Sequence, residues 1–215
     1  MHGEIAATKE GKILGIRVDV IADHGVQHNG AAEQDPAGFF GVFAGSYDIE
    51  AAHCKVTGVY SNKAPGGVAY AWSLRITEAV YLVERMVDVF ADELGVDPAE
   101  LRLKNFIAPD QSKTGWVYDS GEYERAMRKA LALADYDELR REQREKRERG
   151  ELMEIGVAFF TEMVGAGPRH DMDIAGLGMA DGADLRVHPT GTVVLGVSCQ
   201  TQGQGHAVDA GLPDS

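Results

Sequence analysis

Two short stretches carry residue types suited to holding an anionic ligand. The first is Thr201-Gln202-Gly203-Gln204-Gly205-His206, which follows a run ending in Ser198-Cys199-Gln200. Alternating glycines let the backbone approach a ligand closely and turn its N–H groups toward an anion. The Gln202 and Gln204 amides can both donate and accept hydrogen bonds. A helix after this run would set its positive end beside a phosphate. On local pattern alone, a polar turn is the plainer reading. The second stretch runs from Asn62-Lys63-Ala64-Pro65-Gly66-Gly67 to Ala71-Trp72-Ser73-Leu74-Arg75. A Gly-Gly loop leads there into a helix whose first amides fall near Trp72 and Ser73, the geometry of an anion or oxyanion site. The plainer reading makes Ser73 an N-cap, Trp72 a core anchor and Arg75 a partner of Glu78.

Other candidates are weaker. His24 and His28 are four apart, a spacing that suits a metal only on a helix, and Gly25 and Gly30 argue against a helix there. Arg169-His170-Asp171-Met172-Asp173 reads as an exposed turn. No G-x-S-x-G elbow, P-loop or H-E-x-x-H is present. The net charge of −13 gives no electrostatic reason to bind nucleic acid or anionic lipid. No apolar run approaches the ~20 residues of a membrane span, and Met1 to Ile5 do not begin a secretory leader. Cys54 and Cys199 stand alone, so neither a disulfide framework nor a zinc knuckle is available.

The elements that must position these stretches follow from periodicity. Gly3 to Thr8 and Ile13 to Ile21 read as a hairpin turning at Lys9-Glu10-Gly11, with Leu14, Ile16, Val18 and Val20 on the buried face. Ala37 to Gly45 is small and aromatic, suited to close backbone packing or a cofactor-side loop. Ala51 to Tyr60 reads as a strand. Ile76, Ala79, Val80, Val83, Val87 and Phe90 make the apolar stripe of a helix ending at Gly95, with Glu78, Glu84, Arg85 and Asp88 largely off it. Asp97-Pro98 starts a short helix. Another helix runs from Ser120-Gly121-Glu122-Tyr123 to about Ala134. Leu139 to Arg149 reads as a solvated helix laced with ion pairs. Met153 to Glu162 reads as a strand, and Asp184–Val187 and Thr192–Ser198 flank a hairpin turn at His188-Pro189-Thr190-Gly191. The class is α+β.

At this point the residues resemble a known family. Asn62 to Tyr70, running into Ser73-Leu74-Arg75-Ile76-Thr77-Glu78-Ala79, closely resembles the active-site loop of the molybdenum hydroxylases of carbon monoxide dehydrogenase type. Xanthine dehydrogenase and aldehyde oxidase belong to the same family. Gly3-Glu4-Ile5-Ala6-Ala7-Thr8, Tyr47-Asp48-Ile49-Glu50-Ala51-Ala52, Asp97 to Arg102 and Ser112-Lys113-Thr114-Gly115-Trp116 match as well, and Gln202 to His206 is similar to the family's Q-G-Q-G-H cofactor motif.

The resemblance implies a molybdenum ion held by molybdopterin cytosine dinucleotide, so the protein supplies positioning and electrostatics more than metal ligands. It implies a cofactor-binding set of Gly66, Gly67, Ala71, Gln202, Gly203, Gln204, Gly205 and His206, an active-site loop carrying Trp72, Ser73 and Arg75, and no metal ligand from this chain. It also implies a small-molecule substrate, an iron–sulfur small chain and an FAD-binding medium chain as partners, and a cytoplasmic complex that reaches the inner face of the membrane through those partners. The family loop reads A-Y-x-C-S-F-R, with a Cys that carries copper. Here Trp72 stands at that position and Leu74 replaces Phe. Indole cannot replace the thiolate that Cu(I) needs, which favours an aldehyde or N-heterocycle as the alternative substrate. The family's catalytic glutamate loop and its N-terminal glycine loop have no counterpart in these 215 residues. They therefore read as an internal piece of the large chain, inactive alone, and a non-catalytic remnant is the third reading. The expected parts are the end of one molybdopterin-binding domain (1–110), a helical connector (111–150) and the start of a second such domain (151–215).

Overall fold

A computed structural model describes residues 1–26, 43–64, 76–109, 112–113, 116–117, 121–161 and 182–197. The chain divides into two units, 1–163 and 164–215. Three strands, two helices, two short strands, two helices and two strands follow in turn, the grouped order of an α+β protein.

In the first unit, β1 (His2–Ala7) turns back antiparallel onto β2 (Ile13–Asp23), and β2 pairs in parallel with β3 (Ala51–Val59). The turn lies at Thr8 to Lys12, as the glycine at 11 leads one to expect. The buried face differs from the expected alternation at one residue. Ala6 faces Gly15 and Ala7 faces Ile13, so Leu14 has no opposite number. This β-bulge shifts the phase of the strand. Ile13, Ile16 and Val18 are buried, Val20 is half-buried and Leu14 is exposed.

Helix α1 (Ile76–Leu94) buries Ala79, Val83, Val87 and Ala91 in one cluster with Ile13, Ile16 and Val18 of β2. The i, i+4 spacing of those small and β-branched residues makes the stripe. The helix stops at Gly95, whose φ of 66° lets the Val96 amide reach back to the Ala91 carbonyl at 3.0 Å. Helix α2 (Pro98–Asn105) starts on Asp97, which accepts from the Ala99 and Glu100 amides. At its other end Asn105 is fully buried. Its amide nitrogen donates to the carbonyls of Gly11 and Leu101, and its side-chain oxygen accepts from the Ile13 amide, all at 2.8 Å. One side chain thus ties the β1–β2 turn to the helix end.

A short ladder joins β4 (Ser112–Lys113) to β5 (Trp116–Val117). Helices α3 (Tyr123–Leu133) and α4 (Tyr136–Glu148) follow, broken at Asp135 with its φ of 50°. Most of α4 is solvated and ion-paired, as its sequence implies, but Tyr136 and Gln143 are buried. The Tyr136 hydroxyl and the Arg140 guanidinium both bond Asp97, which ties α4 to the start of α2.

Residues 151–161 differ from the expected strand. They are extended, with Ile155, Val157 and Phe159 half-buried on alternate positions, but they form no ladder among the described residues. Side chains hold them instead. Gln143 donates to the Met153 carbonyl at 2.9 Å, Ser46 bonds Thr161, and Phe159 packs on Phe106 with ring centres 4.7 Å apart.

In the second unit, β6 (Ala183–Val187) and β7 (Val193–Val197) form the expected antiparallel hairpin, closed by His188 and Thr192 at 2.8 Å. Ala183, Leu185 and Val187 oppose Val197, Leu195 and Val193, giving one wholly apolar face. All ten strand residues are exposed.

Candidate functional site

Strands β2 and β3 are parallel neighbours in register from Gly15–Ala51 to Asp23–Val59, so both leave the sheet at the same end. Ligands of parallel α/β sheets bind beyond the carboxyl ends of strands. The Gly66–Arg75 stretch begins from this end, just after β3.

The chain segments leaving the two strands are braced to each other. Asp23, the last residue of β2, accepts from the Ser61 hydroxyl at 2.8 and 3.0 Å and from the Gly25 amide at 2.9 Å, and it pairs with the Lys63 ammonium at 2.8 Å. Three backbone bonds run alongside: His24 N–H to the Val59 carbonyl, Ser61 N–H to Gly25, and Val26 N–H to Lys63, at 2.9 to 3.0 Å. Gly25 has a φ of 75°, and a Cβ there would meet the carbonyls of Lys63 and Ala64. Only glycine permits this approach. Lys63 lowers the Asp23 carboxyl to about 2, helped by the Gly25 amide and Ser61. The brace therefore stays ionised at neutral pH.

On the far side of the stretch, α1 is held by a buried ionic cluster. Arg102 of α2 has no exposed surface and donates from Nε to Glu84 Oε2 at 2.8 Å. Its other nitrogens reach the Glu84 and Pro98 carbonyls and pair with Asp88 at 2.8 Å. Glu84 also accepts from the Tyr47 hydroxyl at 2.5 Å and from the Phe159 amide at 2.8 Å. Burial, and next the Glu84 charge, push the Tyr47 hydroxyl well above its usual value. Burying a carboxylate is costly unless donors converge on it, and here Arg102, Tyr47 and Phe159 all do.

Gly66, Gly67, Ala71, Trp72, Ser73 and Arg75 lie between the described residues Ala64 and Ile76, and Gln202 to His206 lie beyond Val197; all fall outside the described residues. So do His28, the run from Ala37 to Val42, and Arg169 to Asp173. The structure describes what leads into and out of the first stretch and what leads into the second. Among the described residues no group of His, Cys, Asp and Glu could hold a metal ion, and no helix is long and apolar enough to cross a membrane.

Sequence reading missed the supporting groups. Asp23 lies two residues past the expected strand end at Ile21 and carries no signal of its own. Glu84 read as off the stripe, yet Val80, Glu84, Val87 and Ala91 form an i, i+4, i+7, i+11 series of their own. A lone carboxylate in such a series is the available signal for a buried charge.

Comparison with known proteins bears on both stretches. Residues 1–106 and 129–210 each match a family described as the molybdopterin cofactor-binding domain. The carbon monoxide dehydrogenase large chain of Hydrogenophaga pseudoflava is 50% identical over 99% of this chain. This chain spans 28% of that relative's length. Among solved structures, the Cu,Mo-CO dehydrogenase in its carbon monoxide reduced state matches with a TM-score of 0.82 and 50% identity, covering 95% of this chain and 27% of that one. Quinoline 2-oxidoreductase from Pseudomonas putida 86 matches with a TM-score of 0.76 and 27% identity, again over 95% of this chain and 27% of its own.

Proposed function

Because the chain belongs to the molybdopterin cofactor-binding domain family, we propose that it is part of the molybdenum-binding large chain of a carbon monoxide dehydrogenase-type oxidoreductase. The reaction is CO plus water to CO2, two protons and two electrons. The 50% identity along 99% of the chain carries this reading.

The donor set fits a pterin dinucleotide. Gly66, Gly67, Gly203 and Gly205 allow close backbone approach to a pyrophosphate. Gln202 and Gln204 can donate and accept along the edge of a heterocycle, and Ala71 and His206 complete the set. We assign the cytosine dinucleotide form to this cradle. When bound, the cofactor supplies the redox metal and the oxygen transfer. The chain's own residues bind and orient. The parallel strands deliver the Gly66–Arg75 stretch from one end of the sheet, and α1 receives it. In this reading Ser73 and Arg75 belong to the active-site loop, where Arg75 supplies fixed positive charge. An iron–sulfur chain and an FAD-binding chain take the electrons in this reading. We place the complex in the cytoplasm, where a free thiol such as Cys54 stays reduced.

The residues do not fit copper. Trp72 offers an indole N–H, a donor only, where a soft thiolate is required. That observation favours a second reading, hydroxylation of an aldehyde or N-heterocycle, with Trp72 stacking on a planar ring. The similarity to quinoline 2-oxidoreductase runs the same way. The test is to purify the complex from its host, measure molybdenum and copper per large chain, and follow dye reduction under CO, with an aldehyde and with a quinoline. CO-dependent reduction with molybdenum present supports the first reading. Reduction with the heterocycle or aldehyde alone supports the second. Absence of molybdenum overturns both and leaves the non-catalytic remnant.

A further inference from the structure

We propose that Asp23 is a positioning residue for the cofactor site: its brace to Ser61, Gly25 and Lys63 fixes the chain up to Ala64, the point from which the Gly66–Arg75 motif follows in sequence. The inference rests on the reading that these residues face the molybdopterin cofactor. Its observations are independent of that reading.

The geometry makes the case. The side chain at the end of one strand gathers two groups from the segment leaving the next strand and one from its own. Backbone bonds at 24–59, 25–61 and 26–63 keep the two segments paired beyond the last ladder position at Asp23–Val59. Gly25 brings the segments so close that a Cβ would strike backbone. The pairing is therefore set by contacts up to Ala64, the last described residue before the loop. Gly66 and Gly67 follow within three positions. Backbone donors are useful to a pyrophosphate only if they arrive in fixed positions, since misplacement by about 1 Å costs on the order of 100-fold in a positioned reaction. Lys63 also has work within the brace, because its charge is spent on Asp23 rather than offered to a ligand. Of the charged groups facing Asp23 in the described structure, Lys63 is the one that pairs with it.

The experiment compares wild type with Asp23→Ala, Asp23→Asn and Lys12→Met, all as the complex purified from the host. Lys12→Met removes the ion pair of Lys12 with Asp48 at 2.8 Å. Lys12 precedes β2 and so sits at the other end of the sheet. Three quantities are read: molybdenum per chain after gel filtration, the line shape of the Mo(V) electron paramagnetic resonance signal, and the rate of tryptic cleavage after Arg75. Asp23→Ala is expected to retain about 10-fold less molybdenum, or to broaden the signal, as loss of an outer support does at metal sites. Asp23→Asn is expected to fall between, because its amide oxygen still accepts from Gly25 and Ser61. Lys12→Met is expected to lower the melting temperature while keeping wild-type molybdenum and line shape. Wild-type content and line shape in Asp23→Ala, or an equal loss in Lys12→Met, overturns the proposal. If wild type itself holds no molybdenum, the functional reading fails separately, and the cleavage rate then decides. A cleavage rate about 10-fold higher in Asp23→Ala supports the brace, and an unchanged rate overturns it.

Discussion

The β1–β3 sheet and the β6–β7 hairpin are built from similar residues and end in opposite states. The sheet is rich in Ile and Val, the hairpin in Val and Leu. In the sheet, Ile13 and Val18 are at most 1% exposed because α1 covers one face. In the hairpin, Leu185 and Val187 are 63% and 64% exposed, and Val193 and Val197 are 55% and 50% exposed. The sheet is further tied by polar side chains with several partners each, Asn105 and Arg102 above all. Among the described residues the hairpin shows its own ladder and the turn bonds at His188, Thr190 and Thr192. A two-stranded ribbon without a covering layer is marginal in water. Pattern alone makes a strand; burial and polar ties make it stable.

The strongest way to break the comparison is at Arg102. Arg102→Met leaves Glu84 buried and uncompensated, so urea unfolding should show a loss of about 3–5 kcal/mol. Adding Glu84→Gln should recover more than about 1 kcal/mol, since no lone charge remains. Arg186→Met in the hairpin, by contrast, should change stability by less than about 0.5 kcal/mol. Next in size, Asn105→Ala strands the Ile13 amide and the Gly11 carbonyl in the core, at a cost of about 2–3 kcal/mol by the same measurement.

Hydrogen exchange sharpens the contrast without mutation. Amides of β2 should exchange about 100-fold or more slowly than those of β6 and β7. The Phe159 amide should follow β2, because Glu84 accepts from it. Equal protection of hairpin and sheet would contradict the comparison. Chemical labelling probes the sheet from another side. Burial, with help from Asp19, pushes the Cys54 thiol up to about 11. Its thiolate is then scarce at pH 8, and alkylation followed by peptide mass mapping should run about 100-fold slower than for an ordinary thiol. The folded form holds this proton more tightly than the unfolded one, so its contribution to stability is present below about pH 8.5 and is lost as pH rises through about 11. The smallest effect belongs to Leu195→Lys. The residue is exposed, so the melting temperature should hardly move, with a change under about 0.5 kcal/mol.

The elements were largely legible because each carries a local signal. The period of α1, the Asp97-Pro98 start, the Gly95 stop and the two hairpin turns each need only a few adjacent residues. The bulge at Leu14 was not legible. The expected alternation is a perfect one, and the extra residue shows only against its partner strand. Residues 151–161 alternate like a strand, and nothing in them says that their partners are Gln143, Glu84 and Ser46. The site divides in the same way. The glycine and glutamine motifs stand out by type and spacing. Their supports, Asp23 with Lys63 and Glu84 with Arg102, are separated by 40 and 18 residues and meet only through the fold.

The hydrogen bond from the Phe159 amide to Glu84 bears on how the chain is made. A ribosome delivers residues in order, and domains generally fold as units during synthesis, the N-terminal one first. The described strands β1–β3 and helices α1 and α2 have all been made by Asn105, and the first family match ends at 106. Glu84 nevertheless lacks one of its donors, and Phe106 lacks one of its ring neighbours, until Phe159 has emerged. A nascent chain that has released α2 but not residues 151–161 thus carries an incompletely bonded carboxylate and a Phe106 ring stacked on Tyr47 but lacking its Phe159 neighbour. Translation through α3 and α4 is an interval in which a folding helper has something to hold, and the arrival of Phe159 ends it.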